Sequence, residues 1–174
     1  MNFISDYGYV VGGGWKINDH SSVGATFRHI VRWGGDQDIN VSTLNGSSAN
    51  SIANSNFQNH GIGHALDLGY INQFEGANKP TLSIVWRDFG VTQFNMTSGL
   101  TDPPRQTDNL ILGFSLEQEF AFFKLYHGFE YDYITDYSEE PSKKVHLGSE
   151  LSMGPIDLRA GFSQGYLTYG VGLD

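Results

Sequence analysis

The chain has 174 residues, a formal net charge of -9 and no cysteine. This length predicts one domain, the lack of cysteine excludes disulfides and thiolate metal sites, and the acidic balance argues against a nucleic-acid partner. With 22 glycines, 12 phenylalanines and 9 tyrosines, the composition favours strands and turns over helices.

No apolar run approaches the roughly 18 residues that a membrane helix needs. The most apolar stretches, Leu82 to Trp86 and Phe120 to Phe123, are much shorter. The first ten residues, MNFISDYGYV, lack the basic and apolar regions of a signal peptide. We therefore expect either a protein that stays inside the cell or a mature chain with an added methionine.

Alternation of apolar and polar residues predicts two long strands at the start of the chain. In Tyr7 to Ile17, large apolar residues alternate with glycine and lysine. In Val23 to Trp33, one face is apolar and the other carries Arg28 and Arg32. The segment NDHSS between these strands is a predicted short turn.

The middle of the chain predicts two strands between two long loops. Ser42 to Asn59 is rich in asparagine and serine and predicts a loop, with one helical turn around Ala49 to Ala53. Alternation then predicts strands at Leu66 to Tyr70 and Leu82 to Arg87, joined by a turn at EGANKP. The second long loop is predicted from Asn95 to Asp108.

The last part of the chain predicts five further strands. A single strand from residue 109 to residue 137 would be about three times the usual length, so we predict a tight turn near Phe122. A loop is predicted at DYSEEPSKK. The five strands are Leu110 to Glu119, Leu125 to Tyr133, Val145 to Met153, Ile156 to Phe162 and Leu167 to Leu173.

The connections between these strands are short and long in alternation over much of the chain, which is typical of a transmembrane β-barrel. One strand face is apolar and suits lipid, while the other mixes glycine with charges and suits a crowded polar lumen. Closure would remove the sheet edges that a bilayer cannot accommodate. We therefore predict an all-β fold, an antiparallel up-and-down transmembrane β-barrel of about 8 to 10 strands, or part of a larger barrel, in one domain over residues 1–174.

The charged residues of the polar face are the predicted lumen-facing site. They could form a substrate-selective ring, or they could simply pair with one another inside the lumen, and we favour the second interpretation. The candidates are Arg28, Arg32, Arg87, Glu117, Glu119, Lys124, Glu130, Asp132, Glu150 and Arg159.

Several short motifs carry a resemblance to a known family. They are, in chain order, Asp67-Leu68-Gly69, Asp88-Phe89-Gly90, His146-Leu147-Gly148-Ser149-Glu150, Leu158-Arg159-Ala160-Gly161-Phe162 and Gly170-Val171-Gly172-Leu173. The chain resembles the C-terminal portion of PorV-like and FadL-like bacterial outer-membrane β-barrels, in which similar segments follow one another.

This resemblance implies a place in the bacterial outer membrane. The implied partners are the lipid bilayer and other subunits of an outer-membrane complex. The implied role is non-enzymatic, either the transport of hydrophobic compounds or service as a membrane component of a secretion or transfer complex.

The chain departs from that family in its ending and its strand number. Such barrels usually have an even number of strands and end on an aromatic residue, whereas this chain ends on Asp174 after about nine predicted strands. The chains of the family also tend to be longer and to begin with a signal peptide. We therefore expect a fragment that lacks N-terminal strands and a final C-terminal strand, or a chain that closes with partner strands.

Two other function classes compete with this prediction. A soluble antiparallel barrel or sandwich that binds a carbohydrate or lipid would turn the apolar face inward and the charged face to water. A hydrolase would recruit Ser83 or Ser115 with His127 or His146 and a carboxylate, but the sequence has no GxSxG motif. No catalytic residue and no cofactor is therefore predicted.

Two short motifs receive a structural interpretation. His60 and His64 have the spacing of metal ligands on a helix, but Gly61 and Gly63 disfavour a helix, so a loop entering a strand is predicted. The glycines at 12–14 lack the lysine and helix of a phosphate-binding loop, so a strand kink or bulge is predicted. The remaining histidines are expected in core or interface positions, and no metal site is predicted.

Overall fold

The computed structural model describes residues 2–36, 59–98, 102–138 and 140–173. Within these ranges the chain forms ten strands and one short helix, α1 (Pro141–Lys144), which directly precedes β8. The strands are β1 (Asn2–Lys16), β2 (Ser21–Asp36), β3 (His60–Gln73), β4 (Thr81–Arg87), β5 (Phe94–Ser98), β6 (Asn109–Glu119), β7 (Lys124–Tyr131), β8 (Val145–Met153), β9 (Ile156–Ser163) and β10 (Tyr166–Leu173). Among the described residues, no helix has the length and apolar character needed to cross a bilayer.

The nine predicted strands are confirmed, and so is the tight turn near Phe122. The β6–β7 hairpin closes there, because the backbone N–H of Phe120 donates to the carbonyl oxygen of Phe123 at 2.9 Å. The glycines at 12–14 lie inside β1, and the segment DYSEEPSKK ends in α1. The loop predicted from Ser42, with its helical turn around Ala49 to Ala53, falls outside the described residues up to residue 58.

One predicted loop is wrong in part, because β5 lies within the stretch expected to be irregular. Phe94–Ser98 pairs with the first residues of β3, whereas β4 pairs with β3 only from Leu68 to Gln73. The first residues of β3 therefore need backbone hydrogen-bond partners that β4 does not supply. A second segment, β5, supplies them.

The strands follow one another across a single sheet in the order β1-β2-β3-β4-β6-β7-β8-β9-β10, with β5 beside β3. The pairings from β3 to β10 are antiparallel. The all-β antiparallel fold is thus confirmed, but within the described residues the sheet is not closed into a barrel. Within the described residues, β1 and β10 are the two ends of the strand order.

The described residues fall into two compact units. Unit 1 lies within Met1–Gly12, Thr26–Asp67 and Asp88–Asp108. Unit 2 lies within Gly13–Ala25, Leu68–Arg87 and Asn109–Asp174. Unit 1 contains β5, and unit 2 contains β4 and the meander from β6 to β10.

In unit 2 the cross-strand register keeps apolar residues on one face and polar or small residues on the other. Successive side chains of a strand point to opposite faces, so directly paired residues share a face. One row of the apolar face, from β4 to β10, consists of Leu82, Phe114, Phe129, Leu147, Phe162 and Leu167. One row of the polar face consists of Thr81, Ser115, Gly128, Gly148, Gly161 and Thr168.

Burial is inverted relative to a water-soluble domain. Among the described residues, the buried hydrophobic side chains are only Ile30, Ala65, Phe94 and Ile111. Leu147 in β8 is 49% exposed although strands flank it on both sides, and Tyr169 in β10 is 93% exposed. By contrast, Asp88 and Asp157 are only 3% and 4% exposed. Several charged groups are therefore withdrawn from water while many large apolar groups are not.

Candidate functional site

In unit 1 the polar face carries an ion-pair network centred on Arg28. One guanidinium nitrogen of Arg28, Nη2, donates to Asp67 at 2.8 Å and to Asp88 at 2.9 Å. The same Asp88 carboxylate accepts from the Thr92 hydroxyl and from the Gln106 side-chain amide, each at 2.8 Å. The buried carboxylate therefore has a donor for each oxygen, as a charge withdrawn from water requires.

Arg32 lies four residues further along β2, on the same strand face, and forms a second network. Its guanidinium donates to both carboxylate oxygens of Asp6 at 2.8 and 2.6 Å, a bidentate pair. It also donates to the carbonyl oxygen of Pro104 at 2.7 Å. The guanidinium carbon lies 4.1 Å from the centre of the Phe94 ring in β5, a cation–π contact. Thus Phe94 of β5 and the 104–106 segment both contact the Arg32 side chain.

In unit 2, a ladder of charges crosses β8, β9 and β10. Arg159 of β9 donates to Glu150, its direct partner on β8, and to Asp157 on its own strand at 3.1 Å. Gly170 and Gly172 of β10 lie beside these charged residues. These glycines leave room for the long arginine side chain.

A further group of charges lies where β6 and β7 meet their hairpin turn. Lys79 donates to Glu117 at 2.8 Å, and Lys124 lies 3.3 Å from Glu119. The hydrogen bond to the Glu117 carboxylate raises the pKa of Lys79 above its ordinary value. These pairs are partly exposed, so each contributes little to stability on its own.

Glu130, Asp132 and His146 converge at the other end of β7. Glu130 pairs directly with His146 of β8 in the register, and the His146 Nε2 atom lies 3.7 Å from the Asp132 carboxylate. Arg87 of β4 acts on Glu130 electrostatically. Three of the predicted lumen-facing residues belong to none of the pairs in the preceding networks: Arg87, Glu130 and Asp132.

Two clefts in unit 2 follow the row of small residues on the polar face. One has a volume of about 540 Å³ and is lined by Gly128, Gly148, Gly161, Glu150 and Arg159, among others. The other, of about 420 Å³, is lined by Ser83, Gly113, Glu130 and His146, among others. The glycines supply the floor of this groove because they have no side chains to fill it.

The histidines and serines named by the alternative hypotheses have other partners. His127 and His146 each form a 2.8 Å contact from Nδ1 to a serine hydroxyl, that of Ser149 and that of Ser163, respectively. The hydrolase alternative had offered Ser83 or Ser115 as a partner, whereas the structure gives each histidine a different serine. That the chain is not an enzyme stays a prediction.

The metal-ligand spacing of His60 and His64 does not produce a metal site between them. Both residues lie in β3, where four residues span roughly 13 Å. His60 stacks on Trp33 with ring centres 4.7 Å apart, and His64 contacts His29 at 3.1 Å. The whole motif therefore lies in a strand, so the loop predicted here is wrong, whereas the strand predicted after it is confirmed.

Sequence reasoning named the arginines of these networks but missed several of their partners. These partners lie far from the two arginines in the sequence and reach them through strand pairing and through the return of the 102–108 segment. They are Asp6, Asp88, Thr92 and Gln106. The one available signal was the parity of Asp6, which places it on the opposite strand face from the tyrosines of β1.

Comparisons of the chain with family models, with curated proteins and with solved structures give no match.

Proposed function

We propose that this chain forms wall strands of a bacterial outer-membrane β-barrel with a non-enzymatic role in transport. The observation that carries the proposal is the inverted burial. Apolar side chains such as Leu147 and Tyr169 are exposed, while Arg32 and Asp88 are buried and paired. In a bilayer, the exposed apolar surface would be solvated by lipid and the paired charges would line the lumen.

Strand length supports the same proposal. β6 has 11 residues, β8 has 9, and β7, β9 and β10 have 8 each. A tilted strand of about 9 to 11 residues crosses the hydrocarbon core. The meander of unit 2 therefore has nearly the dimensions of a membrane-spanning sheet.

The groove on the polar face favours transport over a purely structural role. Its floor of glycine, serine and threonine leaves space of about 540 Å³ in one cleft and 420 Å³ in the other. The resemblance to PorV-like and FadL-like barrels suggests hydrophobic compounds as cargo, or a place in a secretion or transfer complex. The second role gains support from the two ends of the strand order, since β1 and β10 offer backbone groups to further strands.

A soluble barrel or sandwich that binds a carbohydrate or lipid is the competing proposal. It requires a second layer that covers the apolar face and leaves the charged face in water. Among the described residues, the exposed apolar side chains include Phe114, Phe129 and Leu147 in the middle of the meander. This observation weighs against a soluble fold for the chain by itself.

Membrane partitioning tests the proposal. The full chain, expressed with a cleavable signal and refolded into phospholipid vesicles, is expected to float with the vesicles in a density gradient. Its unheated form should migrate differently from its boiled form on a gel, because folded outer-membrane barrels resist unfolding by detergent. Efflux of a small polar dye from the same vesicles then tests whether the groove conducts.

A monodisperse chain that stays in buffer without detergent would overturn the membrane proposal and favour the soluble alternative. Flotation with heat-dependent migration but no dye efflux would overturn an open pore for polar solutes and leave the transport of hydrophobic compounds and the complex-component role.

A further inference from the structure

Three metal-ligating side chains meet on the polar face of unit 2. They are Glu130 near the end of β7, Asp132 just after it and His146 at the start of β8, and one ligand atom from each lies within 4.8 Å of the others. Residues two apart on an extended strand share a face, so Glu130 and Asp132 point the same way. His146 joins them as the direct cross-strand partner of Glu130.

The backbone fixes these positions. The Asp132 N–H donates to the carbonyl oxygen of Lys144 at 2.8 Å, which continues the β7–β8 pairing past the last residue of β7. Lys144 is itself buried, and its ammonium group donates to the carbonyl oxygens of Tyr133 and Asp136. That ammonium group is therefore used to hold the turn, and its hydrogen bonds do not go to the carboxylates.

Two of the three groups contain a polar atom that is hidden from solvent and has no hydrogen-bond partner. These atoms are Oδ1 of Asp132 and Nε2 of His146. Buried polar atoms are ordinarily paired, so two such atoms in one cluster call for an explanation. The 3.7 Å between His146 Nε2 and Asp132 Oδ2 is too long for a hydrogen bond. It is close to the roughly 3.4 Å that separates two ligands of a tetrahedral zinc ion.

The orientation of His146 suits metal binding. Its Nδ1 atom lies 2.8 Å from the hydroxyl oxygen of Ser163. In the tautomer that donates from Nδ1 to Ser163, the lone pair of Nε2 points toward the two carboxylates. A ligating histidine typically has its other ring nitrogen held in this way.

We propose that Glu130, Asp132 and His146 bind a divalent transition-metal ion of the zinc class. Imidazole and carboxylate are both ligands of zinc, and the imidazole favours a zinc-class ion over calcium, which takes 6 to 8 oxygen ligands. The cleft of about 420 Å³ that Glu130 and His146 line gives the ion access to the groove and room for a further ligand. This site does not depend on whether the apolar face meets lipid.

Zinc titration of the refolded full chain tests the site. Bound Zn²⁺ is measured by mass spectrometry of the metal after desalting, for the unchanged chain and for His146→Gln and Asp132→Asn. Each substitution should weaken the affinity for one zinc ion per chain by about 100-fold or more. Even the loss of a group that only orients a metal ligand lowers metal affinity 10- to 100-fold. Calcium at the same concentration should not displace the zinc.

His127→Gln is the matched control, because His127 makes the same 2.8 Å contact with a serine hydroxyl but, among the residues that the structure describes, belongs to no cluster of potential metal ligands. His29 and His64 lie 3.1 Å apart and could hold a separate zinc ion. The readout is therefore the difference in bound zinc per chain between His146→Gln and His127→Gln. Equal zinc content in these two variants, or no zinc in the unchanged chain, would overturn the proposal. Retained heat-dependent migration or circular dichroism confirms that each variant folds.

Discussion

At the scale of single residues, Asp88 shows how the polar face tolerates buried charge. It lies at the turn after β4 with a positive φ of 52°. Its carboxylate accepts hydrogen bonds from Arg28, Thr92 and Gln106. Removal of this carboxylate would leave all three donors without their acceptor. Asp88 should therefore contribute more to stability than an exposed acidic residue does.

Asp88→Asn should lower the free energy of unfolding by about 2 kcal/mol, because an amide removes the charge and turns a donor toward other donors. Asparagine tolerates a positive φ, so the change leaves the backbone unstrained. Asp19→Asn is the control, since Asp19 is 88% exposed and its pair with Lys16 contributes at most about 1 kcal/mol. Urea unfolding followed by tryptophan fluorescence measures both, and equal losses would contradict the role given to Asp88.

The charged residues themselves could be predicted from alternation, but their partners could not. Parity assigns Arg28, Arg159 and Glu150 to one strand face from the sequence alone. Which carboxylate meets which arginine depends on register, and register is set by turns that the sequence locates only approximately. The cluster of Glu130, Asp132 and His146 was missed for this reason, because His146 is a lone histidine until β8 is aligned with β7.

At the scale of elements, the meander from β6 to β10 is organised around small residues. Gly128, Gly148 and Gly161 are consecutive partners across β7, β8 and β9. They differ in their surroundings. A methyl group on Gly161 would lie 2.9 Å from the carbonyl oxygen of Leu147, whereas one on Gly148 would have no atom within 4 Å.

Gly161→Ala should therefore lower the free energy of unfolding by about 1 to 3 kcal/mol, because the backbone of β8 would have to move. Gly148→Ala is the matched control on the next strand and should change it by less than about 0.5 kcal/mol. Thermal or urea unfolding compares the two. Similar losses of unfolding free energy in the two variants would contradict the close contact between Gly161 and the backbone of β8.

The alternating pattern was sufficient to predict nine of the ten strands, because each long strand repeats its signal over several pairs of residues. β5 has only five residues, and its neighbourhood contains TDPPRQTD, a composition that favours loops. Its strand conformation comes from pairing with β3. A local pattern cannot reveal a conformation that a distant strand imposes.

At the scale of the molecule, the membrane proposal and the soluble alternative differ in whether the apolar face of the sheet contacts lipid. Leu167 and Thr168 are neighbours on β10 whose side chains take opposite faces, and Leu167 is 82% exposed. In water, a charge at so exposed a position is usually harmless. In a bilayer the same charge would meet hydrocarbon.

Leu167→Arg should thus destabilise the vesicle-folded chain by about 2 to 4 kcal/mol if Leu167 lies near the membrane midplane, and Thr168→Arg should have a much smaller effect. The yield of the heat-modifiable form, measured against urea concentration, provides the comparison. Equal tolerance of both substitutions would place the apolar face of β10 away from lipid.

The order of the strands has a consequence for how such a chain can change in evolution. From β6 to β10, strands that are consecutive in the sequence are also neighbours in the sheet. Duplication of one hairpin, such as β8–β9 with its two-residue connection at Gly154, would add a pair of strands without breaking any existing alignment. A sheet with this order can widen by gene duplication alone, and each added hairpin would bring its own share of glycine floor and paired charge.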